Sequence, residues 1–284
     1  MVLKKIGMTG SEGLVGSHLI PLLVRKNFKI IAGSKNEKKN KANVFYKKFD
    51  LSKKVNDNLL NKTFGDVDFF IHLGAILPSK KKSSNLKLKK VNLESTKKII
   101  NWAIKKKIFF IFFSTISIFN NKNLNYIKYK KIAEKYLIGK KLNYIIIRPS
   151  SIYGFGQKDE TFLIRNITKI KNKKKLIFYK PFKKNLNFIH AHDISRAIIF
   201  LIEKNKTGIF NLINEKNISI PEIITLFKKI FNISKNKISI KYKKQKKNLE
   251  NKIIVNKINK LGWKCKINLQ NGIKKSFVEN QIII

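Results

Sequence analysis

The chain of 284 residues has a single cysteine, Cys265, so no internal disulfide is possible. That usage fits a reducing compartment, and the cytoplasm is the expected location. Long apolar runs are also missing. The longest dense one, residues 108–119, falls well short of the roughly 20 residues a bilayer span requires. No signal-peptide pattern opens the chain: Met-Val-Leu-Lys-Lys-Ile-Gly leads straight into a strand pattern. Proline is scarce, five in all, and no long Gly/Ser/Pro linker or internal repeat divides the sequence.

Acidic residues are few, 16 against 63 lysines and arginines, which gives a net charge of +47. Such a charge invites a nucleic-acid reading, but the basic residues include only four arginines, Arg25, Arg148, Arg165 and Arg196. Base readout favours the arginine fork, and here lysine is spread along the whole chain instead of gathered in one stripe. Asparagine and isoleucine are inflated alongside it. The charge is therefore read as compositional bias, with nonspecific polyanion binding at low salt and no specific nucleic-acid or membrane partner expected.

What is present is an alternation of strand and helix patterns. Residues 2–8, 28–32, 44–49, 68–73, 108–114 and 144–148 read as strands; 14–26, 86–106 and 126–140 read as helices. This order implies a doubly wound parallel α/β sheet. Past Pro149 the alternation weakens. Helices are expected at 160–171, 193–204 and 220–231, and strands at 176–179, 208–212 and 238–242.

Between the first strand and first helix stands Gly10-x-x-Gly13-x-x-Gly16, where a dinucleotide turn must stand. Its glycines permit a tight turn and close approach to a pyrophosphate, next to a helix N-terminus carrying partial positive charge. Further on, the fifth strand ends in Ser114-Thr115, followed by Tyr126-x-x-x-Lys130. A tyrosine ionises near pH ~10, roughly 4 kcal/mol from working as a base at neutrality. One cation at ~4 Å, at an effective dielectric of ~20, supplies about that much. Tyr126 and Lys130 on one helix face, with the Thr115 hydroxyl nearby, are the parts of an acid-base site for a carbinol oxygen. Tyr136/Lys140, Tyr179/Lys183 and Tyr242/Lys246 share the spacing, so only context singles out Tyr126.

These segments together resemble the extended short-chain dehydrogenase/reductases, in particular the nucleotide-sugar epimerase/dehydratase family, along nearly the whole chain. Thr9 to Gly16 is similar to the family's cofactor turn, with Gly10, Gly13, Leu14, Val15 and Gly16 at the cofactor. Asp50-Leu51 resembles the pair that meets the adenine, and Leu73-Gly74-Ala75 the end of strand four beside the cofactor. Asn92, with Thr96, falls where the family keeps a bracing asparagine. Ser114-Thr115 resembles the segment bearing the catalytic hydroxyl, which makes Thr115, Tyr126 and Lys130 the catalytic set; Tyr126 and Lys130 also touch the cofactor. Pro149 and Ser151 lie in the segment that reaches the nicotinamide end. Phe188 to Asp193 and Leu261-Gly262-Trp263 resemble two second-half markers.

The resemblance implies a Rossmann-like doubly wound sheet over residues 1–150, with 188–213 returning to it. A smaller substrate-binding lid from 151–187 and 214–284 is implied as well. NAD or NADP is the expected cofactor, a nucleotide-sugar the expected substrate, and a homodimer the expected assembly. Since the second strand ends Ala32-Gly33-Ser34-Lys35 without an acid, Ser34 and Lys35, with Lys38, tip the expectation toward NADP. The activity implied is a 4-keto reductase or a 4-epimerase. A reductase of a non-sugar carbonyl and a non-catalytic dinucleotide-binding protein are the alternatives. Two departures bear on this. The family's phosphate-gripping arginine falls near Leu186, and the second is replaced by lysines at 243, 244, 246 and 247. Ile116 and Ser117 also stand where the family's dehydratases carry Asp-Glu; the nearest acid along the chain, Glu134, is expected to face away from substrate. His190, His192 and Asp193 are read as structural, without a metal, and His72 as a satisfied core histidine.

Overall fold

The structure is a computed structural model and describes residues 3–77, 84–119, 124–157, 161–180, 182, 185–242 and 257–278. Strands buried on both faces need unbroken apolar runs, and the sequence supplies them in segments such as Phe-Phe-Ile-His and Phe-Phe-Ile-Phe-Phe. In chain order the strands are β1 (Lys5–Thr9), β2 (Lys29–Ser34), β3 (Val44–Lys48), β4 (Phe69–His72), β5 (Phe109–Phe113) and β6 (Tyr144–Pro149). They continue with β7 (Ser151–Tyr153), β8 (Leu176–Lys180), β9 (Phe188–His190), β10 (Gly208–Leu212) and β11 (Ile238–Tyr242). Seven form one parallel sheet in the order β10-β6-β5-β4-β1-β2-β3. The order reverses between β1 and β4, and the crevice at such a point is where open α/β sheets bind ligands.

The helices are α1 (Leu14–Arg25), α2 (Asp57–Phe64), α3 (Asn85–Lys89), α4 (Thr96–Lys105) and α5 (Asn125–Ile138). After them come α6 (Phe162–Lys171), α7 (Ala191–Glu203), α8 (Ile220–Phe231) and α9 (Leu269–Phe277). One sheet face packs Leu19 and Leu23 of α1 with Ile194, Ile198 and Leu201 of α7. The opposite face is aromatic: Phe64, Phe70, Trp102 and Phe110 are buried together, with the Phe70 and Phe110 rings stacked at 6.0 Å. Each such side chain contributes on the order of 2 kcal/mol by leaving water. A third cluster joins Tyr153, Leu163, Phe178, Phe188, Phe227 and Ile273 from the second half.

The structure adds elements absent from the sequence reading. α2 is capped by Asn56, whose side chain accepts from the Leu59 amide, and α9 by Asn268, which accepts from Asn271. The three-residue strands β7 and β9 pair with each other. The helix expected over residues 86–106 is broken: a π-helical turn, Lys90–Ser95, separates α3 from α4. That turn carries Asn92.

Candidate active site

The turn after β1 is built on close backbone contact. Gly10 has φ +71°, and a Cβ there would lie 2.7 Å from the Gly74 nitrogen. A Cβ on Gly16 would lie 2.5 Å from the carbonyl oxygens of both Gly10 and Ser11. No side chain caps α1, whose first residue follows Gly13. The amides of Leu14 and Val15 therefore belong to an uncapped helix start, the arrangement that accepts an anion.

The neighbouring loops are locked to this turn. His72, wholly buried at the end of β4, bridges Thr9 (2.7 Å) and Thr96 (2.9 Å). Burial, then the nearby Lys130 charge, lowers its pKa to about 3, so the imidazole is neutral. It is the satisfied core histidine the sequence indicated. Just beyond Leu73, Gly74 and Ala75, Asn92 clamps Ile76 by both backbone groups, at 2.8 Å each. Ser95 donates to the Leu51 carbonyl at 2.8 Å, tying the Asp50-Leu51 turn to the same π turn. Asp50 accepts from the Ser52 amide, and its carboxyl sits below the usual range: burial opposes this, but the Ser52 hydrogen bonds and the charges of Lys35 and Lys53 outweigh it.

Across the sheet, Lys130 is 2 % exposed and donates from Nζ to the carbonyl of Phe113 at 2.6 Å, with the Phe112 ring 4.7 Å away. Phe113 ends β5, so the ammonium is pinned two residues from Thr115. Thr115 is half-buried, and its Oγ1 accepts from the Ser117 amide at the start of a 3-10 turn, Ile116–Phe119. Tyr126, also half-buried, sits one helical turn before Lys130 on α5. Tyr129 points elsewhere, as its spacing implies, and donates to Asn85 at 2.8 Å. Burial lowers the Lys130 pKa to about 7, against the pull of Glu134, which raises it.

Glu134 continues the Tyr126–Lys130 stripe one turn on, is 3 % exposed, and takes a hydrogen-bond fork from Arg148. The guanidinium in turn lies 5.2 Å from the Phe119 ring. Breaking one half of a buried pair leaves an unmatched charge, typically at a cost of 3–5 kcal/mol. Arg148→Met is expected to lower unfolding free energy by about 3 kcal/mol in urea titration. Adding Glu134→Gln should restore part of that loss.

Two hydroxyls at the sheet's carboxyl edge, Ser114 Oγ and Ser150 Oγ, are buried without a hydrogen-bond partner among the described residues. Ser114 follows β5 and Ser150 follows Pro149 at the end of β6; Ser151, exposed, opens β7. A glycine cradle at one end and orphaned hydroxyls at the other fit an extended polar cofactor such as a dinucleotide.

A profile for the NAD dependent epimerase/dehydratase family matches residues 6–212. The chain belongs to this family. A dTDP-D-glucose 4,6-dehydratase of Dictyostelium discoideum is 26% identical over 281 residues, 82% of this chain. The chain spans only 63% of that dehydratase's length. Among solved structures, a UDP-N-acetylglucosamine 4-epimerase of Methanobrevibacter ruminantium, complexed with UDP-N-acetylmuramic acid, superposes with TM-score 0.79 at 20% identity. That match covers 98% of both chains. A UDP-glucuronic acid 4-epimerase of Bacillus cereus, complexed with NAD, superposes with TM-score 0.78 at 20% identity, covering 96% of this chain and 95% of that one. No helix among the described residues is long and apolar enough to cross a membrane.

The family's second-half markers have structural work in this member. Asp193, fully buried, accepts from the amides of Lys266 and Ile267 and from Arg196, which fastens the segment after Trp263 to α7. His190 accepts from the His192 amide (3.1 Å) and meets Ser276 (3.1 Å). Cys265, its thiol raised to about 12 by burial and then by Asp193, is unreactive packing. Leu186, where a phosphate-binding arginine was sought, bridges to Ile218 and packs in the third cluster. The lysines at 243, 244, 246 and 247 lie outside the described residues.

A cavity of about 380 Å³ between α6 and β8 is lined by Phe162, Arg165, Asn166, Lys169, Phe178 and Tyr179 among others. The sequence reading passed over Arg165 and Lys169, since their only signal is helical spacing in a lysine-rich chain. A wider groove of about 620 Å³ runs between α2 and α4, and none of the site residues lines it.

Proposed function

We propose that this chain is an NAD(P)-dependent oxidoreductase acting on a hydroxyl or keto group of a nucleotide-activated sugar, as a 4-keto reductase or a 4-epimerase. The observation that carries the reading is Lys130, a buried ammonium fixed to the end of the strand that bears Thr115, one turn from Tyr126. When bound, the nicotinamide supplies or takes the hydride. Tyr126 gives or receives the proton at the sugar oxygen, and Thr115 hydrogen-bonds that oxygen. Lys130 in its charged form lowers the phenol's pKa. Gly10, Gly13 and Gly16 would hold the pyrophosphate, while Asp50, Leu51, Leu73, Gly74 and Ala75 would wall the adenosine side. In this reading residues 151–187 and 214–284 form the lid, and Arg165 and Lys169 line its cavity between α6 and β8.

Elimination is not part of this activity. Ile116 and Ser117 form the 3-10 turn beside Thr115, where a dehydratase needs a carboxylate acid and base, and Glu134 is committed to Arg148. Each missing acid or base is worth about 10²–10⁴ in rate. Supplied with an NDP-hexose and NAD, the protein should yield no 4-keto-6-deoxy sugar; appearance of its alkali-labile chromophore refutes this.

Leu186 favours a second reading, reduction of a carbonyl that carries no diphosphate. Turnover of simple ketones without any product from nucleotide sugars would select it.

A further inference from the structure

The end of β2 is where the adenosine ribose of a bound dinucleotide meets its deciding acid, usually a carboxylate on β2 itself. Here β2 ends in Ser34, and the acid arrives from elsewhere in the chain. Ser34 is 2 % exposed, and its Oγ lies 2.6 Å from Oε2 of Glu12, a residue of the glycine turn. The Ser11 hydroxyl donates to the Gly33 carbonyl at 2.9 Å, tying the same turn to the same strand end. Lys38 reaches the other Glu12 oxygen at 2.5 Å. Lys35, the remaining cation of the segment, faces Asp50 at 3.9 Å. Thus the residues from which a 2′-phosphate site was read are already engaged with carboxylates.

We propose that Glu12, held by Ser34, Lys38 and the Lys35 amide, is the residue that selects the cofactor, accepting a ribose hydroxyl of NAD and repelling the 2′-phosphate of NADP. This rests on the reading of the glycine turn as a dinucleotide site, and it reverses the leaning toward NADP drawn from Ser34, Lys35 and Lys38 alone. A carboxylate has about four acceptor positions, and Ser34 and Lys38 use one on each oxygen. The Lys35 backbone amide takes a third, which leaves one for a ribose hydroxyl. The carboxylate stays ionised: burial would raise its pKa, but the Lys38 and Ser34 hydrogen bonds and the Lys38 charge hold it below its ordinary value. Glu12 is a cross-strand substitute for the missing β2 acid, brought in by the turn instead of by the strand.

The test is calorimetric titration of NADH and NADPH into the wild type, Glu12→Gln and Glu12→Ala at about 0.15 M salt, where long-range attraction is screened. The wild type should bind NADH roughly tenfold more tightly than NADPH. Both variants should lose NADH affinity and gain NADPH affinity, which brings the ratio to parity or inverts it. General attraction of NADPH to the basic chain does not confuse the comparison, since the variants alter a net charge of +47 by one unit. Tighter NADPH binding by the wild type, or a ratio unmoved by both substitutions, overturns the role of Glu12 while leaving the dinucleotide site intact. Binding of neither cofactor to the wild type overturns both.

Discussion

Tyr126→Phe is expected to lower kcat by about 10²–10⁴-fold while leaving the Kd for the cofactor within roughly twofold of wild type. The substitution removes one oxygen from a half-buried side chain at the start of α5 and leaves the pinning of Lys130 to Phe113 untouched. Only the transferable proton is lost, so the damage should fall on turnover. Thr115→Ala should act in the same direction but more weakly, because Thr115 orients the reacting oxygen without exchanging its proton. Steady-state rates paired with cofactor titration separate these effects. A phenylalanine variant of near-normal turnover would remove Tyr126 from the chemistry.

Lys130→Met should abolish activity and yet make the protein more stable near neutral pH. Burial drags the lysine from 10.5 to about 7, a cost to the folded state of about 5 kcal/mol at 1.36 kcal/mol per unit. Losing the hydrogen bond to the Phe113 carbonyl returns ~1–3 kcal/mol of that, for a net gain of about 2–4 kcal/mol. The pH dependence follows from the direction of the shift. Below about 7 the lysine is charged in both states and the full cost is present. Between about 7 and 10.5 the unfolded chain keeps the proton that the native protein has lost, so wild-type stability rises with pH. The advantage of methionine should therefore be greatest at about pH 6 and vanish by about pH 10. Urea unfolding of both proteins across that range measures it; a methionine variant destabilised equally at both ends would mean that the ammonium costs the fold nothing.

The parallel sheet was legible because its strands are dense Phe/Ile runs and because the glycine turn, Ser114-Thr115 and Tyr126/Lys130 occupy fixed places relative to them. Short elements were not. β7 and β9 have three residues each, too few to show a period, and α2 is an eight-residue helix with only three buried residues behind a cap that reads as an ordinary Asn-Asp loop. The π turn at Lys90–Ser95 is invisible because widening one helical turn barely alters the apolar spacing, although it is what aims Asn92 at Ile76. The pairing of Glu134 with Arg148 was hidden for a related reason. Two steps of four residues drift only about 80° around a helix, so the glutamate stays near the Lys130 face, where Arg148 meets it. The engagement of Glu12 with Ser34 joins positions 22 apart in sequence and depends on the closure of the turn, which no local pattern encodes.

The most direct measurement of the central claim uses reduced cofactor carrying deuterium at the transferable position of the nicotinamide. The wild-type protein is mixed with it and a 4-keto nucleotide sugar, and the product is read by mass and by magnetic resonance. A reductase and an epimerase in its reduced form both return deuterium on carbon 4 of the sugar, and the Tyr126→Phe protein should return almost none in the same interval. Cofactor that binds wild-type protein but leaves the 4-keto sugar unlabelled would contradict the assignment of Thr115, Tyr126 and Lys130 to hydride-coupled chemistry on a sugar.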